Sequence, residues 1–460
     1  MTYTDTRDTG AKVDFKTAVM NGMSSATGGL YVPVEFPKID VSKILKADGS
    51  PDFLKAAFEM AKPYVQGEIP DKDLEALIKD AYPFEPKLVQ IEDGTYVLEL
   101  FHGPTCAFKD FGARFMARAM SYFNKDQGSN LHILVATSGD TGSAVGSAFH
   151  NVPGLDVTIL YPEGKISPLQ EKQLSTFTGN VRALRVKGTF DDCQKLVKTA
   201  FTDKDLRQKF RLSSANSINI SRLLPQGFYY MFASLVARAE NPGKDIIVTV
   251  PSGNFGNLTS GLIAREMGAP IKGFVAATNS NRTIPDWIAT AEYKARPSVE
   301  TYANAMDVGA PSNYERIAFM YSLEEVRRLF AAYWLDNEGI IKSIRACKDS
   351  TGYTIDPHGA VAYKAWKDIK NGALDALEGI DITKPGITPN RPEWAGSAKN
   401  AAGVILETAD PAKFSAIVKD ATGSEPPIPE RLQKLMALPD RSIPMENNWE
   451  KFKAWLSANL

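Results

Sequence analysis

Six short, nearly unbroken apolar runs, LHILVA, VTILYP, VRALRV, DIIVTV, KGFVAATN and GVILET, alternate with helical stretches between residues 131 and 408. Strands buried on both faces read this way, so the alternation specifies a mostly parallel sheet covered by helices, an α/β fold. Each run is far shorter than the roughly 20 residues a membrane helix needs. No period of about 20 to 50 residues recurs, which excludes solenoids and propellers.

At 460 residues the chain has room for two or three domains of about 150 residues. Residues 1–98 carry apolar positions at helical spacing in FKTAVMNGM, VSKILKAD, DFLKAAFEMAKPYV and DKDLEALIKDAY, and predict a helical accessory domain. Residues 99–225 and 226–460 predict two α/β domains, the second ending in solvated helices, with a surface connection from Asp381 to Lys399. Lys and Arg number 53 against 54 Asp and Glu, so no net field favours nucleic acid or an anionic membrane. Cys106, Cys193 and Cys347 are too scattered for a disulfide framework or a zinc site, and no two of the four histidines stand at i, i+4. No metal is expected. The opening segment lacks the apolar stretch of an export signal, which predicts a cytoplasmic protein, monomeric or homodimeric.

Two strand-turn-helix units carry chemistry. The strand Leu131 to Ala136 enters Thr137, Ser138, Gly139, Asp140 and Thr141, then a helix; the strand Asp245 to Val250 enters Ser252, Gly253, Asn254, Phe255, Gly256 and Asn257, then another. Glycines permit close backbone approach, and free amides at a helix start favour an anion. Either loop alone reads more readily as turn chemistry; two together point to a site that grips two anionic groups. Neither is a Walker A or a GxGxxG sequence, so a phosphorylated cofactor fits better than a nucleotide. A third signal is Lys109, between Phe108 and Phe111 in FHGPTCAFKDFGARFM. Desolvation there lowers an amine toward nucleophile and base, although a lysine can also snorkel to water or pair with Asp110. With two anion-gripping loops, its specific task is a Schiff base with pyridoxal phosphate.

FHGPTCAFKDFGARFM, ATSGDTGSA, EGKISPLQEKQ, SANSINISRLLPQ, PSGNFGN, NAMDVGAPSN, DPHGAVAY and TADPAKF, with GGLYVP near the start, resemble the threonine synthases of bacteria and fungi. The resemblance implies a tryptophan-synthase-β-like (fold type II) pyridoxal phosphate enzyme acting on O-phospho-L-homoserine. It implies that Lys109 carries the cofactor and shuttles protons, that Gly253, Asn254, Phe255, Gly256 and Asn257 bind its phosphate, and that Thr408 meets its ring nitrogen. Thr137, Ser138, Gly139, Asp140 and Thr141 would receive the substrate carboxylate, and Lys165, Asn216, Ser217 and Arg222 its phosphate. The TSGDTG half is expected to close over the cofactor half to exclude water. Asp410 stands where the family has His, and Thr27 where it has an acidic residue. A lyase that stops after elimination and releases a 2-oxo acid remains a rival, as does a cofactor-free scaffold, against which Lys109 argues.

Overall fold

The apolar runs become strands in a computed structural model that describes residues 1–460. In chain order the strands are β1 (Tyr3–Asp5), β2 (Asp8–Val13), β3 (Tyr31–Pro33), β4 (Lys87–Glu92), β5 (Thr95–Glu99), β6 (Leu131–Ala136), β7 (Leu155–Pro162), β8 (Val181–Lys187) and β9 (Arg211–Ser213). They continue with β10 (Ile246–Pro251), β11 (Gly273–Thr278), β12 (Phe330–Trp334), β13 (Gly386–Ile387), β14 (Ala402–Glu407) and β15 (Ile443–Glu446). Three sheets result, in the orders β2-β1-β3, β13-β12-β11-β10-β14-β5-β4 and β15-β8-β7-β6-β9. The five-stranded sheet is parallel throughout. The seven-stranded sheet is parallel except at its edges, where β4 and β13 run antiparallel.

Every residue of β6, β10, β11, β12 and β14 is buried, the condition under which a strand loses its polar alternation. Residues 1–98 do contain the helices Phe15–Asn21, Phe53–Val65 and Asp71–Ala81. They depart from a purely helical domain in two ways. β1, β2 and β3 form a small antiparallel sheet, and β5 pairs in parallel with β14, which puts β4 and β5 into the seven-stranded sheet. A single core joins Phe15 and Tyr64 of this segment to Met116, Phe228 and Phe274.

The C-terminus departs similarly from a 226–460 domain. β15 pairs with β8, and Phe452 and Leu456 of the helix Trp449–Asn459 share a core with Leu184 and Cys193. The last residues therefore strap the seven-stranded lobe to the five-stranded one. The connection from Asp381 to Lys399 is also less superficial than its prolines suggest, because Trp394 is buried and donates to Leu329 O at 2.8 Å.

Candidate active site

Lys109 opens the helix Lys109–Asn124. The turn before it is folded back by Asp110, whose carboxylate accepts from Thr105 N at 2.8 Å and Thr105 Oγ1 at 2.7 Å. Two bonds stitch this turn onto the segment after β14: Phe108 N donates to Thr408 O at 2.8 Å and Asp410 N to Cys106 O at 3.0 Å. From another side comes Arg222, in the short helix Ile220–Leu223; a methyl on Gly112 would lie 2.5 Å from Arg222 O, so glycine is required for that approach. Burial pulls the Lys109 ammonium down to about 8; the nearby Asp140 carboxylate opposes this, and Arg222 and Lys413 reinforce it. An amine poised there is accessible in both protonation states near neutral pH.

β10 and β14 are neighbours in parallel register, with Thr249 opposite Ile405. The residues that follow them therefore emerge side by side at the carboxyl edge of the sheet, the usual ligand position in open α/β sheets. After β10, the amides of Gly253 to Asn257 donate to no protein acceptor, and Phe255 takes a left-handed φ of 60° as the helix Gly256–Glu266 begins. That backbone costs energy for a non-glycine residue and needs support. Asn254 supplies part of it, accepting from Ser312 N at 2.6 Å and from Asn313 Nδ2 at 3.1 Å, and donating to Ser217 Oγ. Asn257 Oδ1 accepts from the Tyr229 and Tyr230 hydroxyls at 2.7 and 2.8 Å, while its buried Nδ2 has no protein partner. Behind the loop, His358 Nε2 accepts from Ala305 N at 3.2 Å, and Nδ1 lies 2.6 Å from Asp356 Oδ2. This fixes the Ala305–Met306 backbone against Gly253.

The loop after β6 has divided tasks. Thr137 is fully buried, and its hydroxyl accepts from Gly139 N at 2.9 Å and Gly142 N at 2.8 Å, which shapes the loop. Asp140 lies 2.7 Å from Lys413 Nζ and accepts from Gln170 Nε2 at 3.0 Å. Burial alone would raise its carboxyl, but Lys413, Lys109 and these hydrogen bonds hold it well below the usual carboxylate range. Of the side chains expected to meet a carboxylate, Asp140 presents no donor because it is itself anionic, while Thr137 is fully buried with both hydroxyl lone pairs engaged and only its O–H left to give. Ser138 and Thr141 are partly exposed.

The four expected phosphate residues separate. Arg222 is buried, donates to Ala215 O and leaves Nε without a protein partner; burial lowers it to about 10. Ser217 reaches Asn254, and Asn216 lies beside it. Lys165 instead stands exposed on the turn before the helix Pro168–Ser175, and no hydrogen bond ties its side chain to the group. Asp410 caps the following turn by accepting from Ala412 N at 2.9 Å, a task for a short acceptor that accounts for an acidic residue there. The hydroxyl of Thr408 forms no protein hydrogen bond, and its backbone oxygen is the one that accepts from Phe108 N.

Sequence reasoning missed Lys413, Arg316 and Glu407. The fully buried Arg316 donates to Tyr31 O, Ser217 O, Ile218 O and Asn313 Oδ1. Glu407, just before Thr408, accepts from Asp356 N at 2.6 Å; burial and Asp356 push its carboxyl well above the ordinary range. Lys413 had the same apolar flanks, Ala412 and Phe414, that singled out Lys109. Together the residues offer a half-buried amine, an amide cradle and an excess of cations, a set that suits a phosphorylated aldehyde and a second anionic ligand.

Comparison with known proteins gives the same chemistry. The model of the family described as pyridoxal-phosphate dependent enzyme matches residues 87–378, threonine synthase N terminus matches 2–82, and threonine synthase, C-terminal matches 391–456. The chain is 40% identical to the threonine synthase of Haemophilus influenzae over 97% of both chains. The crystal structure of threonine synthase from Escherichia coli superposes with a TM-score of 0.83 at 36% identity, covering 100% of each chain. That of pyridoxal-phosphate-bound threonine synthase from Brucella melitensis gives 0.86 at 32% identity, covering 100% of this chain and 99% of that one.

Proposed function

The chain belongs to the threonine synthase family of pyridoxal-phosphate-dependent enzymes, and from that premise we propose that it converts O-phospho-L-homoserine and water to L-threonine and inorganic phosphate. The observation that carries this reading is Lys109, an amine lowered to about 8 that has Asp140 of the Thr137–Thr141 loop nearby and whose turn is bonded to Thr408 O. We assign Lys109 to carry the cofactor, Gly253, Asn254, Phe255, Gly256 and Asn257 to hold its phosphate, and Thr408 to donate to its ring nitrogen. Supporting this are the unpaired amides at a helix start, the free Thr408 hydroxyl and the buried donor on Asn257. When bound, the cofactor supplies an electron sink for negative charge developing on substrate carbon.

The protein's own residues do the rest. Lys109, as a neutral amine, would remove the α proton and then move protons at the β and γ carbons, since a group with this pKa can give and take at neutral pH. The Ser138 and Thr141 hydroxyls and the amides of Asp140 and Thr141 receive the substrate carboxylate, with Gly139 held in the loop by its bond to Thr137. Arg222, with Asn216 and Ser217 nearby, attracts the substrate phosphate; Lys165 reaches it only through movement of its turn. Gln170 and Gln173, both buried, close the floor beside Asp140 and exclude water from it. The substrate is a small molecule; no nucleic acid or membrane partner, a cytoplasmic setting and a monomer or homodimer complete the reading. No helix is long and apolar enough to cross a membrane, and the three cysteines are buried and unpaired.

Incubation with O-phospho-L-homoserine should release phosphate and threonine in equal amounts. Phosphate accompanied by 2-oxobutyrate without threonine would move the chain to the lyase reading. Two substitutions probe the cofactor contacts, each read by cofactor titration. Thr408→Val removes one neutral hydrogen bond, worth about 1 kcal/mol, so affinity should fall about fivefold while the protein stays yellow. In Gly253→Ala the new methyl would lie 2.6 Å from Met306 Cα. Because that atom is backbone, the loop must shift, and a loss of at least about tenfold in cofactor affinity is expected.

A further inference from the structure

Lys413 lies in the short turn Pro411–Phe414 after β14, and its side chain is fully buried. Its Nζ is 2.7 Å from Asp140 Oδ1, on the helix that follows β6, and donates at 3.0 Å to Thr105 O, four residues before Lys109. Asp140 Oδ1 also accepts from Gln170 Nε2 at 3.0 Å, and Thr105 O from Gln173 Nε2 at 2.9 Å. One ammonium thus joins the end of the seven-stranded sheet, the first turn of a helix on the five-stranded sheet and the turn that presents Lys109. Gly139, beside Asp140, packs so closely that a methyl there would lie 2.7 Å from the Gln170 side chain, so the loop has little freedom to rearrange.

We propose that Lys413 is a positioning residue that clamps Asp140 to the Thr105 turn and thereby keeps the Asp140 carboxylate from pairing with Lys109. The inference rests on the assignment of Lys109 as the working amine. The charged groups that face Lys109 are Asp140 from the helix after β6, Arg222 from Ile220–Leu223 and Lys413 from the turn after β14; Asp110, on the lysine's own helix, is held by Thr105. Asp140 is therefore the one carboxylate free of backbone donors that can turn Lys109 into a spectator ion pair. Fully buried ion pairs persist where their remaining hydrogen-bonding capacity is met, and here Gln170 and the Thr105 carbonyl meet it. A carboxylate shared in this way still favours a charged neighbour, but less than one left alone.

Competitive labelling of lysines with an amine-reactive probe across pH, read by peptide mass spectrometry, follows Lys109 in the full-length chain after the cofactor is removed with hydroxylamine. In Lys413→Met the Lys109 midpoint should rise by about one pH unit, and in Lys413→Met/Asp140→Asn it should return to the wild-type value or below. Kinetics of the reconstituted enzyme should show kcat falling for Lys413→Met, with KM changing less than about twofold, and partial recovery in Lys413→Arg. An unchanged Lys109 midpoint in Lys413→Met overturns the proposal, and so does a raised KM with kcat preserved, which would make Lys413 a substrate ligand. Should Lys413→Met fail to fold, Lys413→Gln decides: a raised Lys109 midpoint supports the clamp, and an unmoved one refutes it. If the midpoints move as expected while the cofactor proves to be attached elsewhere, the assignment of Lys109 fails and the electrostatic clamp stands.

Discussion

Replacing Lys109 by Ala is expected to lower threonine formation at least about a thousandfold, because one group is asked to supply the transfers at every reacting carbon and each general acid-base contribution is typically 10²- to 10⁴-fold. The folded protein should survive, since the Lys109 side chain makes no hydrogen bond or ion pair to the protein. Lys109→Arg should fail nearly as badly. A guanidinium keeps its proton at neutral pH and cannot act as the base. Phosphate release and threonine should disappear together in both variants; a variant that keeps phosphate release and loses threonine alone would show that another base performs the elimination. For the wild type, kcat should rise with pH as the amine loses its proton, with a limb near the Lys109 value of about 8; Lys413→Met should move that limb upward.

Arg316→Met is expected to cost about 3 to 5 kcal/mol of stability and to weaken cofactor binding as well. The arginine is fully buried, and its removal orphans three carbonyls and the Asn313 amide oxygen. Buried acceptors left without donors each cost about 1 to 3 kcal/mol. The loss reaches the site because two of the released partners, Asn313 and Ser217, both contact Asn254 in the amide loop. Its neighbour provides the control: Glu315 pairs with a half-exposed Arg7 at 2.8 Å, and surface pairs contribute about 0 to 1 kcal/mol. Glu315→Gln should barely move the urea midpoint or the cofactor titration, whereas Arg316→Met should move both. Equal small effects from the two substitutions would remove Arg316 from the support of the site.

Buried parallel strands were legible because burial on both faces leaves an apolar run that turn residues cannot imitate. LHILVA maps onto β6 without displacement, and DIIVTV onto β10 with a shift of one residue. β1, β2 and β3 left no such trace, since β2 is mostly exposed and the others span three residues each. Lys109 and the SGNFGN loop were legible because a lysine among aromatics and a Gly/Asn turn before a helix are local patterns. The division of labour around them was not. Thr137 gives its oxygen to the Gly139 and Gly142 amides, which only the folded loop reveals. Asp140 and Lys413 are 273 positions apart, and Arg316 meets Tyr31 across 285; no window of sequence contains such pairs. Lysine and arginine are seldom fully buried, so neither invites the reading it earns in the structure. Lys165 shows the opposite case, a motif residue that the fold leaves exposed on a turn.

The central claim is that Lys109 carries the cofactor. Reduction of the purified yellow protein with borohydride, followed by proteolysis and mass spectrometry, tests it directly. A single pyridoxyl adduct is expected on the lysine of the AFKDFG segment, Lys109. An adduct on Lys413 or any other lysine, or no adduct from a protein that turns over O-phospho-L-homoserine, would contradict it.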